Sequence, residues 1–306
     1  MGAQKRKVER GSPEEAALAR SLCERVGLDA DSCMGTAARF LRARGHDMSK
    51  ADALLRGALK WRARARPETL VWEDVEHEMK TGKMYRADFR AADSLPTILM
   101  RPRNENTKDH EGNIRNLVYT LESARTALER EETAAGRSYP EAVSRFRWII
   151  DFKGYSLRNA PPIKTSRETL RVLQDCYPES LGEAVLWDPP RIFYAFWRII
   201  SPFIEARTRG KIVFCFPKQS SSQKAGDKGS ELLQQLYTPE QLAALGLCPS
   251  GKRIDDSYDH AAYAARMRAE DALKRTPAPD ADGDIFFDAS DACHAQGDKA
   301  AGSAMG

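Results

Sequence analysis

The sequence predicts an α/β fold in which a mostly parallel sheet with crossover helices follows a small all-helical N-terminal unit. Two observations support this prediction. Beyond residue 96, short runs of apolar, β-branched and aromatic residues alternate with segments of helical apolar spacing. Such alternation is typical of parallel strands joined by helical crossovers. The first 80 residues contain only segments of helical apolar spacing.

The helical unit is predicted over residues 13–80, after a flexible arm formed by residues 1–12. Ser12 suits an N-cap and Pro13 suits the first turn of a helix. Thr36–Arg44 and Lys50–Ala65 then show helical spacing. In the second of these segments, alanine, leucine and tryptophan share one face, while lysine and arginine fill the other.

The α/β domain is predicted over residues 81–258. Apolar runs predict its strands, at Thr97–Pro102, Arg145–Phe152, Ala184–Trp187 and Lys211–Phe216. Helical spacing predicts its helices, at Ile114–Arg130, Thr165–Tyr177 and Arg191–Ile204. The second helix starts with a capping-box sequence, Thr165 and Glu168. A short helix over Thr238–Leu245, a terminal helix over residues 259–275 and a disordered acidic tail over residues 276–306 complete the prediction.

Composition narrows the class of protein. Charged residues make up 30% of the 306 residues, and no apolar run is long enough to span a bilayer. The six cysteines are scattered without a CxxC pair, which indicates reduced thiols and a cytoplasmic protein. Residues 1–66 hold 15 Lys and Arg against 8 Asp and Glu. This basic segment suits an anionic membrane surface or a nucleic acid equally well, although a solvated helical surface explains the same charge.

Motifs for catalysis are missing from the sequence. It contains no GxSxG and no GxGxxG, and none of its five isolated histidines is at metal-ligand spacing from a cysteine or a carboxylate. Gly246–Arg253 imitates a phosphate-binding loop, but Arg253 stands where a Ser or Thr must hold magnesium. We therefore expect no enzyme activity, no metal site and no cofactor. We also expect that the partner is not a nucleic acid.

The segment Tyr177–Lys211 carries the strongest functional signal. A carboxylate turn ending at Glu179 precedes a strand, and the nearly all-apolar helix Arg191–Ile204 follows it. Thr208 and Lys211 come next. A helix that is apolar on most sides is buried, faces lipid, or alternates between the two. An apolar helix beside anion-binding groups suits a phospholipid, in which an apolar body carries a charged head.

A purely structural interpretation of these residues stays open at this point. Glu179 then serves as a turn residue, Thr208 as a helix cap and Lys211 as a solvated strand start. The apolar side chains of the helix then belong to the core, and Pro202 ends or kinks the helix near Ile200.

Two groups of motifs occur in order over about residues 36–216. The N-terminal group is Ala38–Arg44, Asp47, Ala51, Leu55 and Lys60–Arg62. The central group is Ile149–Gly154, Tyr177–Glu179, Asp188–Pro190, Phe196, Pro202–Phe203 and Lys211–Ile212. In combination these motifs resemble the CRAL-TRIO lipid-exchange family. The resemblance implies a sheet that floors a lipid cavity and a mobile helix that closes it.

The resemblance also implies roles for individual residues. In members that bind phosphatidylinositol, the matching positions hold the head group, and here they are Arg44, Glu179, Thr208 and Lys211. The gate would be Arg191–Ile204, with the apolar gate residues Phe193, Phe196, Ile199, Ile200 and Phe203 lining or opening it. Phe146 and Trp148 stand where members that exchange phosphatidylcholine carry small hydroxyl residues, so we expect both rings to obstruct a choline head.

The resulting hypothesis is a monomeric, cytoplasmic protein that binds and transfers phosphatidylinositol and touches anionic membranes transiently. One alternative is a membrane- or partner-docking module with a vestigial pocket. Another is a carrier of a neutral isoprenoid lipid, which would not require Glu179 or Lys211.

Overall fold

The computed structural model describes residues 8–141, 144–217, 228–248 and 258–274. Its strands are β1 (Met84–Arg90), β2 (Pro96–Met100), β3 (Phe146–Asp151), β4 (Leu181–Trp187) and β5 (Ile212–Cys215). Its helices are α1 (Pro13–Val26), α2 (Ala30–Ala43), α3 (Met48–Ala65), α4 (Glu76–Met79), α5 (His110–Ala134), α6 (Ile163–Arg171), α7 (Phe193–Ile200), α8 (Ala206–Arg209), α9 (Lys228–Leu236), α10 (Pro239–Ala244) and α11 (His260–Ala272). The predicted acidic tail, most of the N-terminal arm and part of the Gly246–Arg253 segment lie outside the described residues.

The five strands lie side by side in the order β1 to β5. Strands β2 to β5 are parallel, and β1 pairs antiparallel with β2. The crossovers are α5, then α6, then α7 with α8. Right-handed crossovers that step in one direction along a sheet place their helices on the same face, and α6 accordingly contacts both α5 and α7. The predicted mostly parallel α/β fold is thus confirmed.

The two faces of the sheet have different coverings. Trp148, Ala184 and Ile212 lie in one cross-strand row and line a cavity beneath the crossover helices. Their neighbours along each strand point the other way. On that second face, Cys215 packs against α9 so closely that a Cβ on Gly229 would lie 2.5 Å from the Cys215 Cβ. Glycine is therefore the residue that this helix–strand contact accepts.

The helical unit has a small core of its own, and its last helix joins it to the sheet domain. Leu22, Phe40, Leu41 and Leu55 are buried together among α1, α2 and α3. Trp61, later in α3, belongs to the main core, and its ring meets the Tyr177 ring edge-on with 5.9 Å between centroids.

Several element boundaries differ from the predictions. Strand β1 was not predicted, because its polar residues find partners only in the folded chain: Arg86 pairs with Glu270 of α11 at 2.5 Å. The predicted capping box at Thr165 is wrong, because α6 begins two residues earlier, after Pro162. The Thr165 hydroxyl instead contacts His110 Nδ1 at 3.0 Å.

The apolar helix is shorter than predicted. Regular α-helix covers Phe193–Ile200, and a 3₁₀ turn, Ser201–Phe203, continues it. Proline cannot donate a backbone hydrogen bond inside a helix, so Pro202 accounts for the predicted end near Ile200.

Candidate functional site

An apolar cavity lies between the sheet and the crossover helices. Trp148, Ile150, Leu186 and Ile212 contribute from the sheet, and Leu170 contributes from α6. The cavity volume is about 210 Å³, which is below the roughly 300–1,000 Å³ typical of sites for small ligands. A larger ligand therefore requires a wall to move.

Helix α7 forms one wall of this cavity and is apolar on both sides. Phe193 and Ile200 are buried, and together with Phe196 they line the cavity. Ile199 and Phe203 point outward, with exposures of 49% and 41%. The five predicted gate residues thus divide into three that line the cavity and two that face outward. Helix α7 therefore presents large apolar side chains both to the cavity and to solvent.

A carboxylate with two cations lies beside the β5 end of the cavity. Glu179 Oε1 lies 2.7 Å from Arg207 Nε, and Glu179 Oε2 lies 3.2 Å from Lys211 Nζ. Lys211 Nζ also donates to the Leu181 carbonyl at 2.9 Å, and Leu181 lines the apolar cavity. The backbone of Glu179 is left-handed, with φ of 58°. This conformation costs an ordinary residue about 1–2 kcal/mol, so the surrounding structure holds the carboxylate in place.

These charged residues face a separate polar cleft of about 740 Å³. Glu179, Arg207 and Lys211 line it, together with Arg42 and Arg145. Thr208 lies between the two spaces: it lines the apolar cavity, and its carbonyl accepts from the Lys211 backbone N–H at 3.0 Å. The structure therefore brings Glu179, Thr208 and Lys211 together, with Arg207 as a cation that the sequence analysis did not select.

Arg44, the fourth predicted head-group residue, makes different contacts. Its Nη1 lies 3.2 Å from Glu205 Oε1, and its Nη2 lies 3.8 Å from Asp175 Oδ1. Burial raises the pKa of Asp175, although Arg44 and Arg171 oppose that shift. Glu205 directly follows the predicted gate segment, Arg191–Ile204, so Arg44 connects the end of α2 to the end of that segment.

The two aromatic residues of β3 lie in different places. Trp148 lines the apolar cavity, whereas Phe146 lines a smaller, separate cavity beside Arg39. The expectation that both rings face the lipid cavity therefore needs correction for Phe146. Strand pairing is irregular here, because Phe146 opposes Leu181 while Trp148 opposes Ala184, which gives β4 one extra residue. The expectation came from the family resemblance, which compares positions in the sequence but does not show how far the cavity extends along β3. Phe146 begins β3 and lines the smaller cavity together with Leu121 and Ala124 of α5.

A buried carboxylate that the sequence analysis missed fixes the turn before β4. Glu122 of α5 lies 2.8 Å from Arg62 Nη1 and 2.5 Å from Arg125 Nη2, and the Tyr177 hydroxyl donates to it at 2.5 Å. Burial acts to raise the pKa of Glu122, but Arg125 and Arg62 outweigh it and lower the pKa to about 2. Glu122 thus joins α3, α5 and the turn that carries Glu179. Arg62 and Tyr177 were visible in the motifs, but their shared partner was not.

Among the residues that the structure describes, no group of three or more His, Cys, Asp and Glu side chains is placed to hold a metal ion. In the same residues, no helix is both long enough and apolar enough to cross a bilayer.

The model of the CRAL/TRIO domain matches residues 80–244, which is more than half of the chain. The chain belongs to the CRAL/TRIO domain family. This is a family of lipid-binding and lipid-transfer proteins, and the cavity beside the sheet lies within the matched residues. The family resemblance found in the motifs is thereby confirmed.

Relatives of the CRAL/TRIO family extend the comparison. The chain is 31% identical over 209 residues to a CRAL-TRIO domain-containing protein of Schizosaccharomyces pombe and 30% identical over 239 residues to phosphatidylinositol transfer protein PDR17 of Saccharomyces cerevisiae. These alignments use 66% and 74% of this chain but only 20% and 59% of those relatives, so the chain spans less than two thirds of either.

The crystal structure of Sfh5 has a similar fold, with a TM-score of 0.57 and 14% identity. The alignment covers 88% of this chain and 100% of that one.

Proposed function

We propose that this CRAL/TRIO protein binds a phospholipid of the phosphatidylinositol type and carries it between membranes. The observation that supports this most directly is the position of Glu179, Arg207 and Lys211 beside an apolar cavity that α7 covers. The similarity to a relative named as a phosphatidylinositol transfer protein points to the same lipid.

The charged cluster suits both parts of an inositol phosphate head. Lys211 and Arg207 can hold the phosphate by charge-assisted hydrogen bonds, and Thr208 adds a hydroxyl donor. Glu179, a pure acceptor when ionised, can accept from ring hydroxyls. Both cations now rest against Glu179, so binding would exchange one carboxylate contact for a phosphate contact. Arg44 would join them only if its pairs with Glu205 and Asp175 opened.

The acyl chains would enter the apolar cavity after α7 moves outward. With α7 in place, the cavity is too small for a lipid with two chains. An outward movement would expose Phe193, Phe196 and Ile200, and each such side chain contributes about 1.5–3 kcal/mol when it is buried. Opening is therefore favoured where a bilayer can cover these residues.

The outer side of α7 supports transient docking on an anionic membrane. Ile199 and Phe203 are exposed there, and Arg191 and Arg198 are exposed on the same segment. Each cation close to an anionic surface contributes about 1 kcal/mol. None of the five described cysteines is in a disulfide, which suits the cytoplasmic side of a membrane.

The proposal is tested by mass spectrometry of the organic extract of the purified protein, followed by transfer of labelled phosphatidylinositol between vesicles. Lys211→Met removes one charged hydrogen bond to the phosphate, which contributes about 1.5–3 kcal/mol, so uptake should weaken about tenfold or more. Lys164→Met removes an exposed lysine of α6 and serves as the control.

Other results would favour other functions. Transfer at the wild-type rate by Lys211→Met, with an unchanged melting temperature, would exclude this head-group site. An extract that contains a neutral isoprenoid would make the protein a carrier of that class. An extract without lipid, combined with vesicle binding, would favour a docking module.

A further inference from the structure

The polar cleft of about 740 Å³ carries more positive charge than its own carboxylates balance. Five Lys and Arg side chains line it, against three Glu side chains. Glu15 pairs with Arg42 at 2.6 Å. Glu179 lies 2.7 Å from Arg207 and 3.2 Å from Lys211. Two carboxylates therefore serve three of the five cations.

The other two cations of the cleft, Arg10 and Arg145, have no counter-ion among the described residues. Neither guanidinium forms an ion pair with a described carboxylate, including Glu9, the third Glu of the cleft. Arg145 Nε is buried without a hydrogen-bond partner in the described part of the chain. Burial lowers the pKa of Arg10, and the nearby charges of Arg42 and Arg145 lower it further. Like charges held together in this way attract an anion.

The chain carries a strongly acidic segment beyond α11. Residues 276–306 hold six Asp and one Lys, and three of these Asp lie in residues 284–291, which contain no basic residue. The described cations at the end of α11 already have carboxylate partners. Lys274 pairs with Asp271 at 2.6 Å, and Arg268 pairs with Glu73 at 2.8 Å. A counter-charge for residues 284–291 therefore lies elsewhere on the protein.

Helix α3 measures the distance from the end of α11 to the cleft. Lys274 Nζ donates to the Leu70 carbonyl, just beyond the end of α3. Gly45 and His46, just before the start of α3, line the cleft. Helix α3 has 18 residues, so these two places are about 27 Å apart at a rise of about 1.5 Å per residue.

This distance decides which aspartates can reach the cleft. An extended chain covers at most about 3.6 Å per residue. Asp280 and Asp282 lie six and eight residues beyond Lys274, so they extend to about 22 and 29 Å and have no length left to pass around the protein. Asp288 and Asp291 lie 14 and 17 residues beyond Lys274, so they extend to about 50 and 61 Å and reach the cleft easily.

We propose that residues 284–291 bind in the polar cleft, where Asp288 and Asp291 supply the counter-charges of Arg10 and Arg145. Two arginines without partners and an acidic segment of sufficient length are complementary in charge. Because the segment belongs to the same chain, its effective concentration at the cleft is on the order of millimolar. Weak, partly exposed ion pairs are then enough to hold it, and salt should release it.

The contact would also restrain lipid uptake, a consequence that rests on the function proposed above. The phosphatidylinositol head would use Lys211 and Arg207, which line the same cleft as Arg10 and Arg145. The acidic segment and the head group would therefore compete for one space. An anionic membrane would compete with the segment for the same cations and so favour its release.

The contact is tested in the full-length protein with a water-soluble carbodiimide, which joins a carboxylate to an amine that it touches. Arg145→Lys keeps the charge and places an amine in the cleft. Peptide mass spectrometry should find position 145 joined to Asp288 or Asp291 about fivefold more often than Lys164, an exposed lysine of α6. Sodium chloride at about 0.5 M should abolish this excess. Arg10→Lys provides a second position, at an exposed residue.

Two double variants that remove equal charge provide a second measurement, with inorganic pyrophosphate as the probe of the cleft. Asp288→Asn with Asp291→Asn should bind pyrophosphate about fivefold more tightly than wild type, because the segment no longer occupies the arginines. Asp280→Asn with Asp282→Asn is the matched control and should bind it as wild type does. Both pairs lie outside the folded elements described above, so neither should change the melting temperature.

Coupling spread evenly over exposed lysines, without an excess at position 145 or position 10, would overturn the proposal. Equal pyrophosphate affinity of the two double variants would overturn it too, because total charge and not a contact would then set the affinity. Neither measurement uses a lipid, so a failed phosphatidylinositol assay leaves both of them valid. Coupling at position 145 with equal phosphatidylinositol uptake by the two double variants would support the contact and exclude competition with the head group.

Discussion

Replacing Glu122 with glutamine should destabilise the protein strongly at neutral pH and hardly at all near pH 2. Glu122 is buried and lies between Arg62 and Arg125, with the Tyr177 hydroxyl as a third donor. Glutamine keeps the size of the side chain but removes its charge. Two guanidinium groups then lose the charge that compensates their burial.

The magnitude follows from the pKa of the carboxyl. Its folded pKa is about 2, against an ordinary value of 4.5. Each pKa unit corresponds to about 1.4 kcal/mol, so ionised Glu122 contributes about 3 kcal/mol to the free energy of unfolding. Because the folded pKa is depressed, this contribution is complete above about pH 4.5 and is lost as the pH falls toward 2. The difference between wild type and Glu122→Gln should shrink over the same interval.

Urea unfolding of both proteins from pH 7 down to pH 2.5 measures this difference directly. Glu129→Gln is the matched control, because Glu129 also pairs with Arg125, at 2.7 Å, but is 54% exposed. Exposed pairs contribute about 0–1 kcal/mol, so this variant should change stability little. A Glu122→Gln protein as stable as wild type at pH 7 would refute the reasoning, as would a difference that does not vary with pH.

Three further predictions concern the gate and the cavity. Arg44→Gln removes the pairs with Glu205 and Asp175, so hydrogen exchange across residues 193–203 should accelerate without lipid; unchanged exchange would mean that these pairs do not hold the gate. Phe196→Asp should slow lipid exchange on vesicles by placing a charge on the cavity side of α7, and exchange at the wild-type rate would argue for an ordinary core helix. Trp148→Thr should increase loading of phosphatidylcholine from mixed vesicles while it lowers the melting temperature through a core cavity, and equal loading of both lipids by the wild-type protein would contradict the proposed obstruction.

The separation of Arg44 from Glu179 and Lys211 shows what sequence motifs cannot predict. Arg44, Glu179, Thr208 and Lys211 were predicted as one site because the resemblance placed them in one role. Glu179 and Lys211 do form an ion pair, but Arg44 pairs with Glu205 and Asp175 instead. Spacing along the chain cannot distinguish these outcomes, because Glu205 lies 161 residues after Arg44 and meets it only in the folded chain.

The sequence by itself determined the alternation of strands and helices, the apolar character of α7 and the family. These properties depend on local periodicity and on motifs, and both lie in residues that are neighbours along the chain. Strand β1 was missed because its buried Arg86 is neutralised by Glu270, 184 residues later in the chain. Likewise, only the tertiary structure decided that Phe146 lies apart from the large apolar cavity and that Glu122 joins Arg62 to Tyr177. Each of these depends on which distant groups meet in three dimensions, where burial and counter-charges set the energy of a polar side chain.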